Sequence, residues 1–155
     1  TLGIISCQAY AEDTVIVNDH DISAIKDCWQ KNSDDDTDVN VIKSCLRQEY
    51  NLVDAQLNKA YGEAYRYIEQ VPRTGVKKPD TEQLNLLKKS QRAWLDFRDK
   101  ECELILSNED VQDLSDPYSE SEWLSCMIIQ TNTRTRQLQL YRNSEDFYPS
   151  PLTRG

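Results

Sequence analysis

The sequence predicts an all-α fold, an antiparallel helical hairpin joined by further helices into a small disulfide-stapled bundle. Three observations predict it. Apolar residues recur every third or fourth position through long stretches, the repeat of an amphipathic helix. Strand-like alternation and tight hairpin turns are scarce. Cys28, Cys45, Cys102 and Cys126 are spread over the helical stretches as an even set, as a disulfide framework requires. A chain of 155 residues can bury one genuine core, and one domain is the working expectation.

The elements follow in order. Residues 1–11 read as the remnant of a signal peptide, with a short apolar stretch through Ile4 and Ile5 and the small-x-small pattern Ala9-Tyr10-Ala11. A second reading takes Ile4-Ile5-Ser6-Cys7 as a loose lipobox with Cys7 as a lipid anchor, and a third takes the segment as ordinary structure. Cleavage after Ala11 would remove Cys7 and leave the even set in an exported chain. Residues 12–38 form an N-terminal extension holding a short helix, in which Ile22, Ile25 and Trp29 share a face behind an Asp21 cap. The polar run from Lys31 to Asp38 ends it.

The main helical domain spans residues 39–145. Its first long helix carries Val41, Cys45, Leu52, Val53, Leu57, Ala60, Tyr61, Ala64, Tyr65 and Ile68, and stops at Pro72 and Gly75. A second starts at Asp80, with Gln83 completing a capping box, and carries Leu84, Leu87, Gln91, Trp94, Leu95, Arg98, Cys102 and Ile105. A third is announced by Ser119 with Glu122 and carries Trp123, Met127, Gln130, Arg134, Leu138 and Tyr141. Residues 146–155, with Pro149 and Pro151, read as a loosely ordered tail.

A short connection makes the first two long helices fold back on each other. Counting outward from a turn near Gly75 sets Asp54 opposite Arg98, Asn58 opposite Gln91 and Cys45 near Cys102. The polar interruptions of the two stripes thereby meet, as buried polar groups must. All four cysteines fall toward one end, and geometry leaves their three pairings open. Cys28 with Cys45 and Cys102 with Cys126 is favoured, because each bond joins neighbouring segments and closes a loop of moderate length.

From Cys45 to Arg142 the chain resembles the LprI N-terminal-like family of exported helical proteins. The likeness is carried by Cys45, Asp54, Leu57-Asn58 and Tyr61, by Gln91-Arg92-Ala93-Trp94 with Arg98-Asp99 and Cys102, and by Cys126, Thr133-Arg134 and Leu138. The resemblance implies a secreted or periplasmic all-helical domain without a cofactor, and lysozyme inhibition for the member that names the family. Two departures stand out: a longer region before Cys45, and an acidic insert from Ser107 to Glu122.

Asp54, Asn58, Gln91, Trp94, Arg98 and Arg134 read as an interhelical polar network, with Arg134 over the face of Trp94. A ligand pocket is the alternative reading. Catalysis is poorly supplied: His20 is the sole histidine, and carboxylate pairs arise by chance among 27 acids. Asp34, Asp36, Asp38 and Asn40 alternate like half a calcium loop, but Val39 and Cys45 stand where Gly and a bidentate Glu belong. Zinc lacks paired ligand spacing. No catalytic, metal or cofactor residues are assigned.

The net charge of −9 disfavours nucleic acid and anionic bilayers as partners and favours a cationic one. No run spans a bilayer after the signal. Glu109, Asp110, Asp113, Asp116, Glu120 and Glu122, with Tyr118 and Trp123 among them, form the candidate partner surface. The reading is a non-enzymatic envelope protein, periplasmic or secreted, that binds and inhibits a cationic lysozyme-like hydrolase as inhibitor or immunity protein. An envelope adaptor, or a module binding small ligands or peptidoglycan fragments, is the alternative.

Overall fold

The computed structural model describes residues 19–30, 38–70, 81–107 and 116–141. These form four helices, α1 (Asp19–Gln30), α2 (Val39–Gln70), α3 (Thr81–Ser107) and α4 (Pro117–Leu140), with no strand among the described residues. Residues 1–18, including Cys7 and the expected cleavage site, lie outside them. So do the expected turn near Gly75, the Asp80 cap and the tail.

The helix starts differ from the sequence reading in two places. Asp21 lies inside α1, which already includes Asp19 and His20. The cap of α4 is Asp116 rather than Ser119: its carboxylate accepts the Ser119 backbone N–H at 3.0 Å and the Ser119 hydroxyl at 3.2 Å. Pro117 at the first helical position explains the shift, since its fixed φ suits the first turn and its missing N–H is not needed there. At α2, Asp38 accepts the backbone N–H of Asn40 at 3.0 Å, so a residue counted toward a calcium loop serves as a helix cap.

The helices assemble around α4. It packs most extensively on α2 and next on α3, whereas α2 and α3 meet only sparsely. Ile42 and Leu46 cluster with Leu124 and Ile128, while Ala64 and Ile68 cluster with Leu138, so α4 runs parallel to α2. Helix α3 runs against both, with Leu84 and Leu87 at the Ile68 end and Cys102 beside Met127. The expected α2–α3 hairpin is therefore present in direction, but its two arms are bridged by the third helix.

Covering α4 on more than one side requires burying Ser121, Thr131 and Thr135 along with Leu124, Met127, Ile128 and Leu138. The hydroxyls make this possible by bonding within the helix: Ser121 donates to the Pro117 carbonyl at 2.7 Å and Thr135 to that of Thr131 at 3.0 Å. Among the described residues no buried side-chain nitrogen or oxygen lacks a partner. Elsewhere the expected stripes shift by a residue. Val41, Leu52, Leu95 and Ile105 are exposed, and Ile42, Leu46 and Leu106 take inner positions.

Both favoured disulfides are present. Cys28–Cys45 ties α1 to α2 and Cys102–Cys126 ties α3 to α4, with Cα separations of 5.5 and 5.7 Å. They lie at one end of the bundle, where Tyr50 and Trp123 pack against the clusters that contain each bond. Helix α1 is fastened further by Trp29, whose indole N–H donates to the Ser125 hydroxyl at 3.1 Å.

Replacing both Cys102 and Cys126 by Ser should lower the unfolding free energy by roughly 3 kcal/mol, read from denaturant melts. Ile128→Ala, which empties a fully buried site facing α1 and α2, should cost about 2–5 kcal/mol in the same measurement.

Candidate functional site

Between the two apolar ends of the core lies a belt of polar side chains centred on Trp94. The Arg98 guanidinium stands 5.2 Å from the Trp94 ring centre and that of Arg134 stands 6.0 Å away, so one half-buried indole receives two cations. Such contacts contribute about 0.5–2 kcal/mol each. Both arginines are only 6% exposed.

Their partners differ in kind. Arg98 holds Asp99 through Nε and a terminal nitrogen, both at 2.9 Å, and donates to the Thr131 hydroxyl at 3.5 Å. Arg134 donates instead to neutral acceptors: Gln91 Oε1 at 3.0 Å, the Ser90 hydroxyl at 3.0 Å and Gln137 Oε1 at 3.3 Å. The bonds to Gln91 and Ser90, with that of Arg98 to Thr131, link α4 to α3, which explains why α3 stays in place with little help from α2.

The sequence pairing across α2 and α3 is revised accordingly. Arg98 pairs with Asp99 and not with Asp54, and Gln91 serves Arg134 and not Asn58. Asn58 donates to Asp54 at 3.2 Å on its own helix. The reason is α4: a register counted along two helices omits the acceptors a third one brings. Ser90, Asp99, Thr131 and Gln137 are the belt members missed. Asp99 directly follows Arg98 in the sequence, and that adjacency was the available signal.

Where α2 and α3 draw apart they leave an open groove of about 390 Å³. Asp54, Leu57, Asn58 and Tyr61 line it from α2, and Lys88, Gln91, Arg92 and Leu95 from α3. Its α2 side offers a carboxylate and an amide, its α3 side two cations, and Leu57 and Leu95 supply apolar surface.

The candidate acidic surface is only partly available. Glu120 is bound by Arg47 and by Lys43, the latter at 3.6 Å, and Asp116 caps α4. Tyr118 is exposed and meets Trp29 edge to face, with ring centres 5.6 Å apart. Trp123 is half-buried against Tyr50, 6.4 Å between centres. Glu122 is half-buried on α4. Glu109, Asp110 and Asp113 lie outside the described residues, as do Asp34 and Asp36. Among the described residues no group of three or more His, Cys, Asp or Glu side chains is arranged to hold a metal, and no helix is long and apolar enough to cross a membrane.

Burial pushes the Tyr50 phenol above its ordinary value of 10.0, while the Arg98 guanidinium draws it the other way. The folded state thus holds this proton more tightly than the unfolded chain, so the associated stability is present below pH 10 and is lost as pH rises through the raised value. Tyr50→Phe should flatten that alkaline loss, measured as the difference between the pH–stability curves of the two proteins.

The comparisons with known proteins accord with this architecture. The family model described as Lysozyme inhibitor LprI matches residues 28–138, from the first disulfide cysteine to the last buried leucine of α4. An uncharacterised protein from Rhizobium meliloti (strain 1021) is 36% identical over 62 residues, covering 39% of this chain and 45% of that protein. The chain thus matches somewhat less than half of this curated relative's length. No solved structure matches. With most of its length matched, including both disulfides and the arginine–tryptophan belt, the chain belongs to the LprI lysozyme inhibitor family.

Proposed function

We propose that this protein is a non-enzymatic inhibitor of a lysozyme-like peptidoglycan hydrolase, acting in the periplasm or as a secreted protein. The observation that carries the reading is the family match across α1 to α4. The net charge of −9 supports it, since lysozymes are often basic and opposite charge accelerates encounter. The two disulfides suit a compartment outside the reducing cytoplasm. Attachment to a membrane through a lipid on Cys7 is the alternative to cleavage after Ala11.

Inhibition works by occlusion, with the acidic segment before and at the start of α4 covering the cationic cleft. Because Asp116 and Glu120 are engaged within the chain, the contact falls to Glu109, Asp110, Asp113 and Glu122, with exposed Tyr118 as the aromatic anchor. The target comes from a host or from a rival bacterium, in which case the protein is an immunity factor.

A second reading rests on the α2–α3 groove, whose mixed lining and volume of about 390 Å³ suit a small ligand such as a peptidoglycan fragment. The protein would then be an envelope adaptor or binding module.

The test is cell-wall lysis by several purified muramidases with micromolar inhibitor at low salt. Inhibition should weaken as salt rises, and joint replacement of Glu109, Asp110 and Asp113 by their amides should weaken it about tenfold. Undiminished lysis by every enzyme would overturn the proposal, and saturable binding of muramyl dipeptide in its place would favour the groove.

A further inference from the structure

Helix α3 presents an apolar seam to solvent. Leu86, Phe97 and Leu104 are 55%, 52% and 57% exposed, and Ala93 is exposed between them. At 3.6 residues per turn these four fall within about 40° of one another, along roughly 27 Å of helix. They lie away from Leu84, Leu87, Arg98 and Cys102, which face the core. Their spacing of seven, four and seven places them on the a and d positions of a coiled-coil seam, with Ser90 and the Asp96-paired Lys100 at the two positions between. Large apolar side chains aligned this way, unlike scattered ones, mark an interface.

We propose that the seam pairs with the same seam of a second copy of this chain, the two α3 helices lying antiparallel about a twofold axis level with residue 95. The argument is self-complementarity, which a twofold interface demands: if one residue meets another, the second must meet the first. In this register Leu86 meets Leu104 of the partner subunit, and small Ala93 meets large Phe97 of the partner subunit. Beside the seam and on the same side of it, Lys89 comes about 3 Å along the axis from the level of Glu103 of the partner subunit, and the symmetry makes each of these contacts twice. Lys89 and Glu103 are both exposed and, among the described residues, neither is in an ion pair. The like charges closest to the axis are the two Asp96 carboxylates, and each is already held by its own Lys100 at 3.6 Å.

A parallel arrangement loses this matching. It would set Phe97 against Phe97, and would place Lys89 and Glu103 of the partner subunit on opposite sides of the seam and far apart along it. The charge pattern therefore selects direction as well as partner. The seam and the α2–α3 groove lie on different sides of α3, so pairing leaves the groove open.

The experiment is sedimentation equilibrium of the full oxidised chain from micromolar to millimolar concentration. The mean mass should rise from 18.0 kDa toward twice that value. Phe97→Asp should hold the protein at the monomer mass with an unchanged helical circular-dichroism spectrum, because Phe97 contributes nothing to the core. Lys89→Glu and Glu103→Lys should each weaken association about tenfold, and the two together in one chain should restore it. A monomer throughout would overturn the proposal, whether the seam is covered by another protein or by none. A dimer indifferent to Phe97→Asp, or one that the charge exchange fails to restore, would equally overturn it.

Discussion

The rest of the structure depends on the burial of α4 between two helices that barely touch each other. A helix covered on several sides ordinarily needs an apolar residue at every covered position, and α4 does not have them. It substitutes serine and threonine, whose hydroxyls return to the carbonyls four residues earlier. These side chains are short enough to let neighbouring helices approach and leave no hydrogen-bonding group unmatched. Leu124, Met127, Ile128 and Leu138 then supply the apolar contact at both ends of the helix. Without that compromise α2 and α3 would have to meet directly, and the groove between them would close.

The belt around Trp94 is the second consequence. Two buried guanidinium groups would be costly if left unmatched, since each has five donors and a full charge. The chain meets the requirement in two ways. Arg98 has a carboxylate neighbour at 2.9 Å, whereas among the described residues Arg134 is held by amide and hydroxyl oxygens. Both also share the negative face of one indole. The belt thereby fixes the axial position of α3 against α4, a job that the apolar residues above and below it, being non-directional, do not perform.

Much of the fold was legible because helical periodicity is local. The three long helices, their relative direction for α2 and α3, and the cysteine pairing follow from spacing and chain proximity. The belt was legible only in membership. Gln91, Trp94, Arg98 and Arg134 interrupt apolar stripes and so stand out, yet which group meets which depends on α4, whose own pattern is obscured by its buried hydroxyl residues. The Asp116 cap was hidden for a related reason: Ser119 and Glu122 imitate a capping box, while Asp-Pro places the true start three residues earlier. The exposed seam of α3 was masked in turn, since Leu86, Phe97 and Leu104 were not counted on any stripe.

The two sulfur bonds divide the sequence unequally between covalent and non-covalent security. Residues 31–37 fall inside the loop closed by Cys28 and Cys45, and residues 108–115 inside that closed by Cys102 and Cys126. A protease cutting either stretch would leave its pieces chained together around an intact core. Residues 71–80 fall inside neither loop. A single cut there would leave two halves with no covalent link, held together by non-covalent contacts, chiefly those of α4 on α2.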